Sequence, residues 1–251
     1  MNLIISGVQK GGSSALFAYL RRHPQIIASQ VKELHHFDDE ETVDWSNPDH
    51  TRYRARWPAG PAGTVRMEAT PIYVFWPPSQ ARMRAFDPNL RQIIVFRDPI
   101  ERAFSHWCME YARGWETLCF EEALEQEATR LAEAPPLSRA WRVCTYQSRG
   151  YYAAQLRRLL AIFPPASLLC LSSTELRQAP AVALRRATDF LALDPFPDVA
   201  PLVANPRKDV AYPSVLTPAV TDHLRGKFHA DLTDFTALSG LDTRDWRTFR
   251  G

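Results

Sequence analysis

The sequence lacks long hydrophobic runs and paired cysteines. None of its apolar runs approaches the roughly 20 residues that a membrane-spanning helix needs. Its four cysteines form no CxxC pair and no dense framework, which excludes a disulfide-stapled scaffold and indicates reduced thiols. Because the first apolar run begins by Leu3, we expect no signal peptide. We therefore expect a cytoplasmic protein with no membrane partner.

The sequence also has little excess charge and very little lysine. A net charge of +2 gives no electrostatic case for a nucleic acid as partner. Lysine supplies four of the 30 basic residues, and Lys10, Lys32 and Lys208 fall in segments with candidate chemistry. A compact ammonium suits contact with a phosphate or sulfate oxygen, although chance placement is the alternative.

A glycine-rich segment directly after the first apolar run is typical of a strand, a tight turn and a helix. Gly7 and Gly12 keep the spacing of a Walker A loop, but Ser13 occupies the lysine position and the lysine lies earlier, at Lys10. One cation, free backbone N–H groups and the hydroxyls of Ser13 and Ser14 suit a 5′-phosphate that carries a transferable group. A purely structural turn is the alternative.

Short apolar runs alternate with amphipathic stretches along the whole chain. This alternation and the glycine loop predict an α/β, P-loop-like, three-layer fold with a central parallel sheet and helices on both faces. Because no repeat or clear linker interrupts the pattern, we expect a single domain over residues 1–251. The predicted strands, each followed by a predicted helix, are Leu3–Ile5 with Ala15–Arg22, Gln92–Phe96 with Ile100–Tyr111, and Leu168–Leu171 with Ala181–Leu191. A further strand is predicted at Val65–Met67 and a further helix at Phe120–Leu131. Residues 194–212 are predicted to form a surface loop.

An arginine and a serine follow the run Gln92–Phe96. Arg97 would stand at the carboxyl end of a buried strand, where open α/β sheets bind ligands, and a guanidinium there can grip a phosphate. Ser105 would lie about two turns into the helix that begins near Pro99. The alternatives are an Arg97–Asp98 ion pair that caps the helix and a solvated surface serine.

A charged segment follows the apolar residues 26–28. Glu33, flanked by Lys32, His35 and His36, can act as a general base, with His35 orienting it or substituting for it. A metal site built from His35, His36 and Asp38 and a solvated charged turn are the alternatives. We expect no metal.

Two further segments bear on substrate binding. Residues 68–73 would reach the same sheet edge, with Thr70-Pro71 setting a turn that lines an acceptor pocket or is purely structural. Residues 205–213 place Lys208 and an aromatic ring on the late loop. Candidate pocket walls are rich in aromatic residues, which suit a sugar ring, a flat aromatic or plain packing: Trp45, Tyr53, Trp57, Tyr73, Trp76 and Trp115.

Taken together, these segments resemble the sulfotransferase family, in particular the branch with heparan sulfate N- and 3-O-sulfotransferases. The resemblance implies that Lys10-Gly11-Gly12-Ser13-Ser14 binds the 5′-phosphosulfate of 3′-phosphoadenosine 5′-phosphosulfate (PAPS). It further implies that Arg97 and Ser105 bind the 3′-phosphate and that Glu33, in a Lys-Glu-x-His-x-Phe segment, is the catalytic base.

The resemblance covers most of the chain, continuing through Gly150-Tyr151-Tyr152 and residues 190–191, but departs from the family pattern at three places. Ala69 stands where the acceptor-side motif usually has lysine. The late Lys-Gly-Arg loop becomes Lys208-Asp209-Val210, and the late disulfide has no counterpart because no cysteine follows Cys170.

The predicted function is therefore in-line transfer of a sulfuryl group from PAPS to a hydroxyl, or less readily an amine, of a small-molecule or carbohydrate acceptor. Adenosine 3′,5′-bisphosphate (PAP) would be the product. Glu33 would take the acceptor proton, Lys10 would neutralise the 5′-phosphate, Lys32 would contact the sulfonate or the acceptor, and His35 would hold Glu33 or meet the acceptor. The alternatives are a P-loop kinase with Asp98 as its Walker B acid, and a PAP-binding interaction module without catalysis.

Overall fold

The computed structural model describes residues 2–196 and 210–250, which form two compact units. The first unit contains residues 2–96 and 158–196, and the second contains residues 97–157 and 210–250. The single domain expected over residues 1–251 stays a prediction.

The first unit is built on a five-stranded parallel sheet. Its strands are β1 (Asn2–Gly7), β2 (Ile26–Ala28), β3 (Val65–Ala69), β4 (Arg91–Phe96) and β5 (Leu168–Ser172). The order across the sheet is β2-β3-β1-β4-β5, so β1 lies in the middle and pairs with β3 on one side and β4 on the other. All pairings are parallel, so the carboxyl ends of all five strands meet at one edge.

Helices connect the strands and make up most of the second unit. In chain order they are α1 (Ser13–Leu20), α2 (Thr51–Arg54), α3 (Ser79–Phe86), α4 (Pro99–Ala112), α5 (Phe120–Glu133), α6 (Arg139–Val143), α7 (Tyr152–Leu160), α8 (Ser173–Gln178), α9 (Pro180–Leu191) and α10 (Pro218–Ser239).

Alternate residues of the central strands point to opposite faces of the sheet, as the period of a strand requires. Leu3 and Ile5 of β1 join one buried core with the apolar sides of α1 and α9. On the other face Ile4 is also buried, and Gln92 of β4 bonds to Gln80 of α3 at 3.4 Å. Both faces are therefore covered, and the predicted fold class is confirmed.

The second unit has a core of its own, formed by α4, α5 and α10. Trp107 of α4, Phe120 of α5 and Phe228 of α10 are fully buried in it. The first turn of α4 is closed by Asp98, whose side chain accepts a hydrogen bond from the Glu101 N–H at 2.9 Å. Proline at the next position suits this start because its ring presets the helical φ angle.

Candidate functional site

The glycine loop lies between β1 and α1, as predicted. Lys10 and Gly12 both have positive φ angles, 69° and 116°, which turn the chain sharply into the helix. A side chain at Gly11 would overlap the carbonyl oxygen of Val95 on β4. The loop is further tied to the sheet by a 3.0 Å hydrogen bond from the Val8 N–H to that same oxygen. Close packing against β4 therefore requires glycine at position 11, and the positive φ angle favours it at position 12.

This loop presents its polar groups at the start of a helix. Gly12 is the N-cap of α1 and contributes no side-chain cap, so the first helical N–H groups have no side-chain acceptor from that residue. Ser13 is buried, Ser14 is exposed and Lys10 is half-buried. Such an N-terminus carries a partial positive charge and suits an anion.

The predicted base lies in a loop after β2, which we call the base loop (residues 32–38). The Glu33 N–H donates to the Ala69 carbonyl oxygen at 3.0 Å, which fastens this loop to the end of β3. Because β3 lies between β1 and β2 and all three are parallel, the glycine loop and the base loop leave the same edge of the sheet.

Glu33 is held by two cationic side chains. The Lys32 ammonium contacts Oε1 of Glu33, and Nε2 of His35 lies 3.7 Å from its Oε2. The other ring nitrogen of His35, Nδ1, lies 2.9 Å from Oδ2 of Asp38, which has no exposed surface. Glu33, His35 and Asp38 thus form a carboxylate–imidazole–carboxylate series, in which the histidine is oriented from both sides.

These contacts shift the pKa values of Glu33 and His35. Burial raises the pKa of Glu33, but the hydrogen bond from His35 and the charge of Lys32 outweigh it and lower the pKa to about 2. Burial lowers the pKa of His35, but the hydrogen bonds with Asp38 and Glu33 outweigh that and raise it to about 9. At neutral pH the site therefore holds an ionised Glu33 beside a protonated His35.

The metal alternative finds no support in the described residues. His36 turns away from His35, with its Nε2 2.7 Å from Nδ1 of His50 and its ring stacked on Tyr53. Among residues 2–196 and 210–250, no group of three or more His, Cys, Asp or Glu side chains is placed to hold a metal ion.

A buried carboxyl group lies at the end of β3. Glu68 has no exposed surface and accepts hydrogen bonds from the Tyr53 hydroxyl and the Thr70 hydroxyl, both at 2.9 Å. Burial raises its pKa to about 7, against the effect of the two hydroxyl donors. The Thr70-Pro71 turn forms as predicted, with the Tyr73 N–H donating to the Thr70 carbonyl at 3.2 Å.

Arg97 and Ser105 belong to the second unit: Arg97 directly precedes the N-cap of α4, and Ser105 lies in the middle of that helix. Arg97 donates through Nε and Nη2 to Oε2 of Glu101, at 3.1 and 3.0 Å. Asp98 does not pair with Arg97, since one of its oxygens caps α4 and the other accepts two hydrogen bonds from Thr248. Of the alternative that an Arg97–Asp98 ion pair caps the helix, the ion pair is therefore wrong, whereas the cap by Asp98 is confirmed. Ser105 is half-buried one to two turns further along.

The remaining sequence candidates differ in how far they are exposed. Lys208 lies outside the described residues, as does most of the loop predicted over 194–212. Tyr53, Tyr73 and Trp76 are buried, whereas Trp115 keeps half of its surface exposed. Trp45 and Trp57 are half-buried.

Two members of this site, Asp38 and Tyr73, have roles that the sequence motifs did not predict. Asp38 was considered only as a metal ligand, and its spacing of three residues from His35 was the available signal. Tyr73 was considered as part of a turn and as a candidate pocket wall, yet its hydroxyl accepts hydrogen bonds from the base loop.

The fold and the loops at its carboxyl edge define a class: a parallel α/β domain with a phosphate-type glycine loop and a separate acid–histidine loop. The model of the sulfotransferase domain matches residues 1–202, and the chain belongs to the sulfotransferase family. The resemblance predicted from the motifs is confirmed.

Named relatives place the chain near the heparan sulfate branch. It is 33% identical over 192 residues to heparan sulfate glucosamine 3-O-sulfotransferase 3B1 of Mus musculus, covering 76% of this chain and 45% of that protein. It is 31% identical over 197 residues to heparan sulfate glucosamine 3-O-sulfotransferase 6 of Homo sapiens, covering 76% and 52%. The chain spans about half the length of the curated relatives it matches.

A solved structure supports the same assignment over nearly the whole chain. The crystal structure of a sulfotransferase from Alicyclobacillus acidocaldarius superposes with a TM-score of 0.79 at 28% identity, covering 98% of both chains. None of the helices within residues 2–196 and 210–250 is long and apolar enough to cross a membrane.

Proposed function

We propose that this chain transfers the sulfuryl group of PAPS to a hydroxyl group, or less readily an amine, of a carbohydrate or small-molecule acceptor. The chain is a member of the sulfotransferase family, and one observation supports the proposal most. The ionised carboxylate of Glu33, held by Lys32 and His35, lies at the same edge of the sheet as the glycine loop.

The residues of the glycine loop fit the 5′-phosphosulfate end of the donor. Gly11 leaves no room for a side chain between the loop and Val95, so the loop packs closely on β4. The partial positive charge at the N-terminus of α1 and the ammonium of Lys10 supply the charge that an anion needs. Ser13 and Ser14 add hydroxyl donors at the same place.

PAPS, when bound, supplies an activated sulfuryl group whose bond to the 5′-phosphate oxygen is broken in the transfer. The chain's own part is to bind that end through residues 10–14 and to remove the proton of the attacking acceptor. Lys10 places positive charge at the loop, where it favours the departing phosphate, and the loss of such a group typically costs about 10²–10³ in turnover.

Glu33 is the residue we assign to the proton transfer. While Lys32 and His35 both contact it, its pKa of about 2 makes it a weak base. When Lys32 turns from Glu33 towards an anionic ligand group, Glu33 loses one cationic neighbour and its affinity for a proton rises. His35, fixed by Asp38, then keeps the carboxylate oriented.

Arg97 and Ser105 are proposed to bind the 3′-phosphate. The guanidinium of Arg97 already makes a two-nitrogen contact with a carboxylate, Glu101, and the same fork suits a phosphate. Lys208 is proposed as a further donor-binding residue on sequence grounds alone.

The acceptor is proposed to be a carbohydrate by analogy with the named relatives, which act on heparan sulfate glucosamine. Ala69 takes the place of the usual acceptor-side lysine and is fully buried. An acceptor with less negative charge near the base loop than a heparan sulfate chain would suit this substitution.

The first test is calorimetric titration of the wild-type protein, Lys10→Ala and Arg97→Ala with PAP, without added metal. Micromolar binding that both substitutions weaken supports the donor site. A second step screens acceptors with radiolabelled PAPS, with Glu33→Gln as the variant expected to bind PAP normally but to lose turnover.

Two results would redirect the proposal. Failure of the wild type to bind PAP, together with Mg²⁺-dependent ATP binding, would favour the kinase. PAP binding without turnover on any acceptor would favour the interaction module.

A further inference from the structure

The base loop has an unusual backbone at the two residues assigned to proton transfer. Glu33 and His35 have φ angles of 63° and 51°, the left-handed region that side chains with a Cβ rarely adopt. Conformations of this kind persist only where the surroundings fix them, and they concentrate at functional sites. Contacts that hold the loop therefore decide where the Glu33 carboxylate points.

Tyr73 makes such a contact through its side-chain hydroxyl. Its hydroxyl oxygen accepts hydrogen bonds from the His36 N–H at 2.9 Å and the Phe37 N–H at 3.3 Å. Tyr73 has no exposed surface, and burial raises the pKa of its hydroxyl well above the usual value, so the group is a neutral phenol. One oxygen thus anchors two consecutive N–H groups directly after His35.

A further hydroxyl lies beside the Tyr73 side chain on the side of β3. It belongs to Thr70 and donates to Oε2 of the buried Glu68 at 2.9 Å. Tyr73 therefore connects the base loop to the buried polar group at the end of β3.

Two other side chains hydrogen-bond the base loop at its C-terminal end. Ser79 and Arg82 donate to the Phe37 carbonyl oxygen, both at 3.0 Å. These two bonds fix the end of the loop, whereas Tyr73 fixes the N–H groups beside His35. Loss of the Tyr73 hydroxyl would therefore leave the loop attached but release the turn that aims Glu33 and His35.

We propose that Tyr73 is a positioning residue for sulfuryl transfer: its hydroxyl holds the base loop in the conformation that presents Glu33 and His35 to the acceptor. The inference rests on the proposed function, because it assigns Tyr73 to the same proton-transfer step. It predicts an effect on turnover and not on binding of the donor.

The test compares Tyr73→Phe with Tyr146→Phe, which removes a matched buried hydroxyl. The Tyr146 hydroxyl donates to Oε2 of Glu116 at 2.9 Å in the second unit. Both variants are expected to lose some thermal stability. We expect Tyr73→Phe alone to lower kcat about 10- to 100-fold with the PAP affinity unchanged, because a small misplacement of a catalytic group costs that much.

A readout independent of activity follows the conformation of the loop itself. The pKa of His35, followed by NMR, should fall in Tyr73→Phe, because His35 loses its fixed distances to Glu33 and Asp38, and should stay unchanged in Tyr146→Phe. If the wild type transfers no sulfuryl group, the proposed function fails while the NMR titration still decides whether Tyr73 holds the loop. A Tyr73→Phe protein with wild-type kcat and an unshifted His35 pKa would overturn the proposal.

Discussion

The Nδ1 atom of His35 lies 2.9 Å from Oδ2 of Asp38, a carboxylate with no exposed surface. Burial alone lowers the pKa of His35, and its hydrogen bonds with Asp38 and Glu33 reverse the effect and raise it to about 9. The contact with Asp38 therefore helps to keep His35, the residue that orients Glu33, positively charged.

Asp38→Asn should lower the pKa of His35 towards or below its ordinary value, because burial then acts against a weaker partner. The measurement is an NMR titration of the histidine ring, with the exposed Glu41→Gln as a control that removes a nearby carboxylate. Any step that needs protonated His35 should then be lost at a lower pH than in the wild type. An unchanged His35 pKa in Asp38→Asn would show that the contact does not set it.

Glu101→Gln should strengthen PAP binding several-fold. Oε2 of Glu101 accepts hydrogen bonds from Nε and Nη2 of Arg97, and Oε1 lies 3.4 Å from Nε of Arg247. Glu101 therefore competes with a phosphate for the guanidinium of Arg97. Glu125→Gln on the exposed side of α5 makes the same change in net charge and serves as the control. Equal PAP affinities of the two variants in calorimetry would argue against a phosphate at Arg97.

Gly11→Ala should destabilise the protein by about 1–3 kcal/mol, since the new methyl group overlaps the Val95 carbonyl oxygen and must push the loop away. PAP binding should weaken with it. Gly226→Ala is the matched control, because nothing lies within 4 Å of a Cβ at this position in α10, and alanine there should add up to about 1 kcal/mol. Urea unfolding of both variants measures the difference, and equal stabilities would contradict the close packing of the loop.

Glu68 should make stability depend on pH between its ordinary pKa of 4.5 and its raised pKa of about 7. In this window the folded state holds more protons than the unfolded state, so the contribution of Glu68 to the free energy of unfolding decreases as pH rises and is smallest above pH 7. The change is on the order of 3 kcal/mol at most.

Glu68→Gln should abolish this part of the pH dependence. The stability difference between wild type and variant, taken from urea unfolding at a series of pH values, should vary through the window. A difference that is constant between pH 4.5 and 7 would mean that the carboxyl titrates normally despite its burial.

The sheet and the glycine loop could be predicted because their signals are local. Apolar runs such as Gln92–Phe96 lie at the observed strands, and the glycine spacing marks a turn that the observed φ angle of Gly12 confirms. β2 was not predicted, since its three residues lie at the sheet edge and make too short a run to carry a pattern.

α10, the 22-residue helix of the second unit, was missed although the sequence marks it. Thr217 and Pro218 form its N-terminus and Gly240 its C-cap. Buried apolar residues recur about every fourth position along it: Val220, Leu224, Phe228, Leu232 and Phe235. Among the described residues 210–217 no strand precedes this helix, so the strand–helix alternation that predicted the fold does not include it.

Partners within the site could not be predicted, because they depend on contacts between segments. The sequence places Asp98 beside Arg97, but a residue at a helix N-cap turns its carboxylate towards the backbone, and Arg97 reaches Glu101 one turn away. The raised pKa of Glu68 likewise arises from burial at the end of β3, which no motif reports.

The central place of β1 bears on how the protein is made. Ile5 pairs with Ala69 on one side and with Ile93 on the other, so neither partner is local in sequence. Long-range parallel pairing is slow, because loop-closure entropy is lost before the contacts form. During synthesis the glycine loop cannot reach its final shape until Val95 has left the ribosome, although its own residues are made before those of the other four strands.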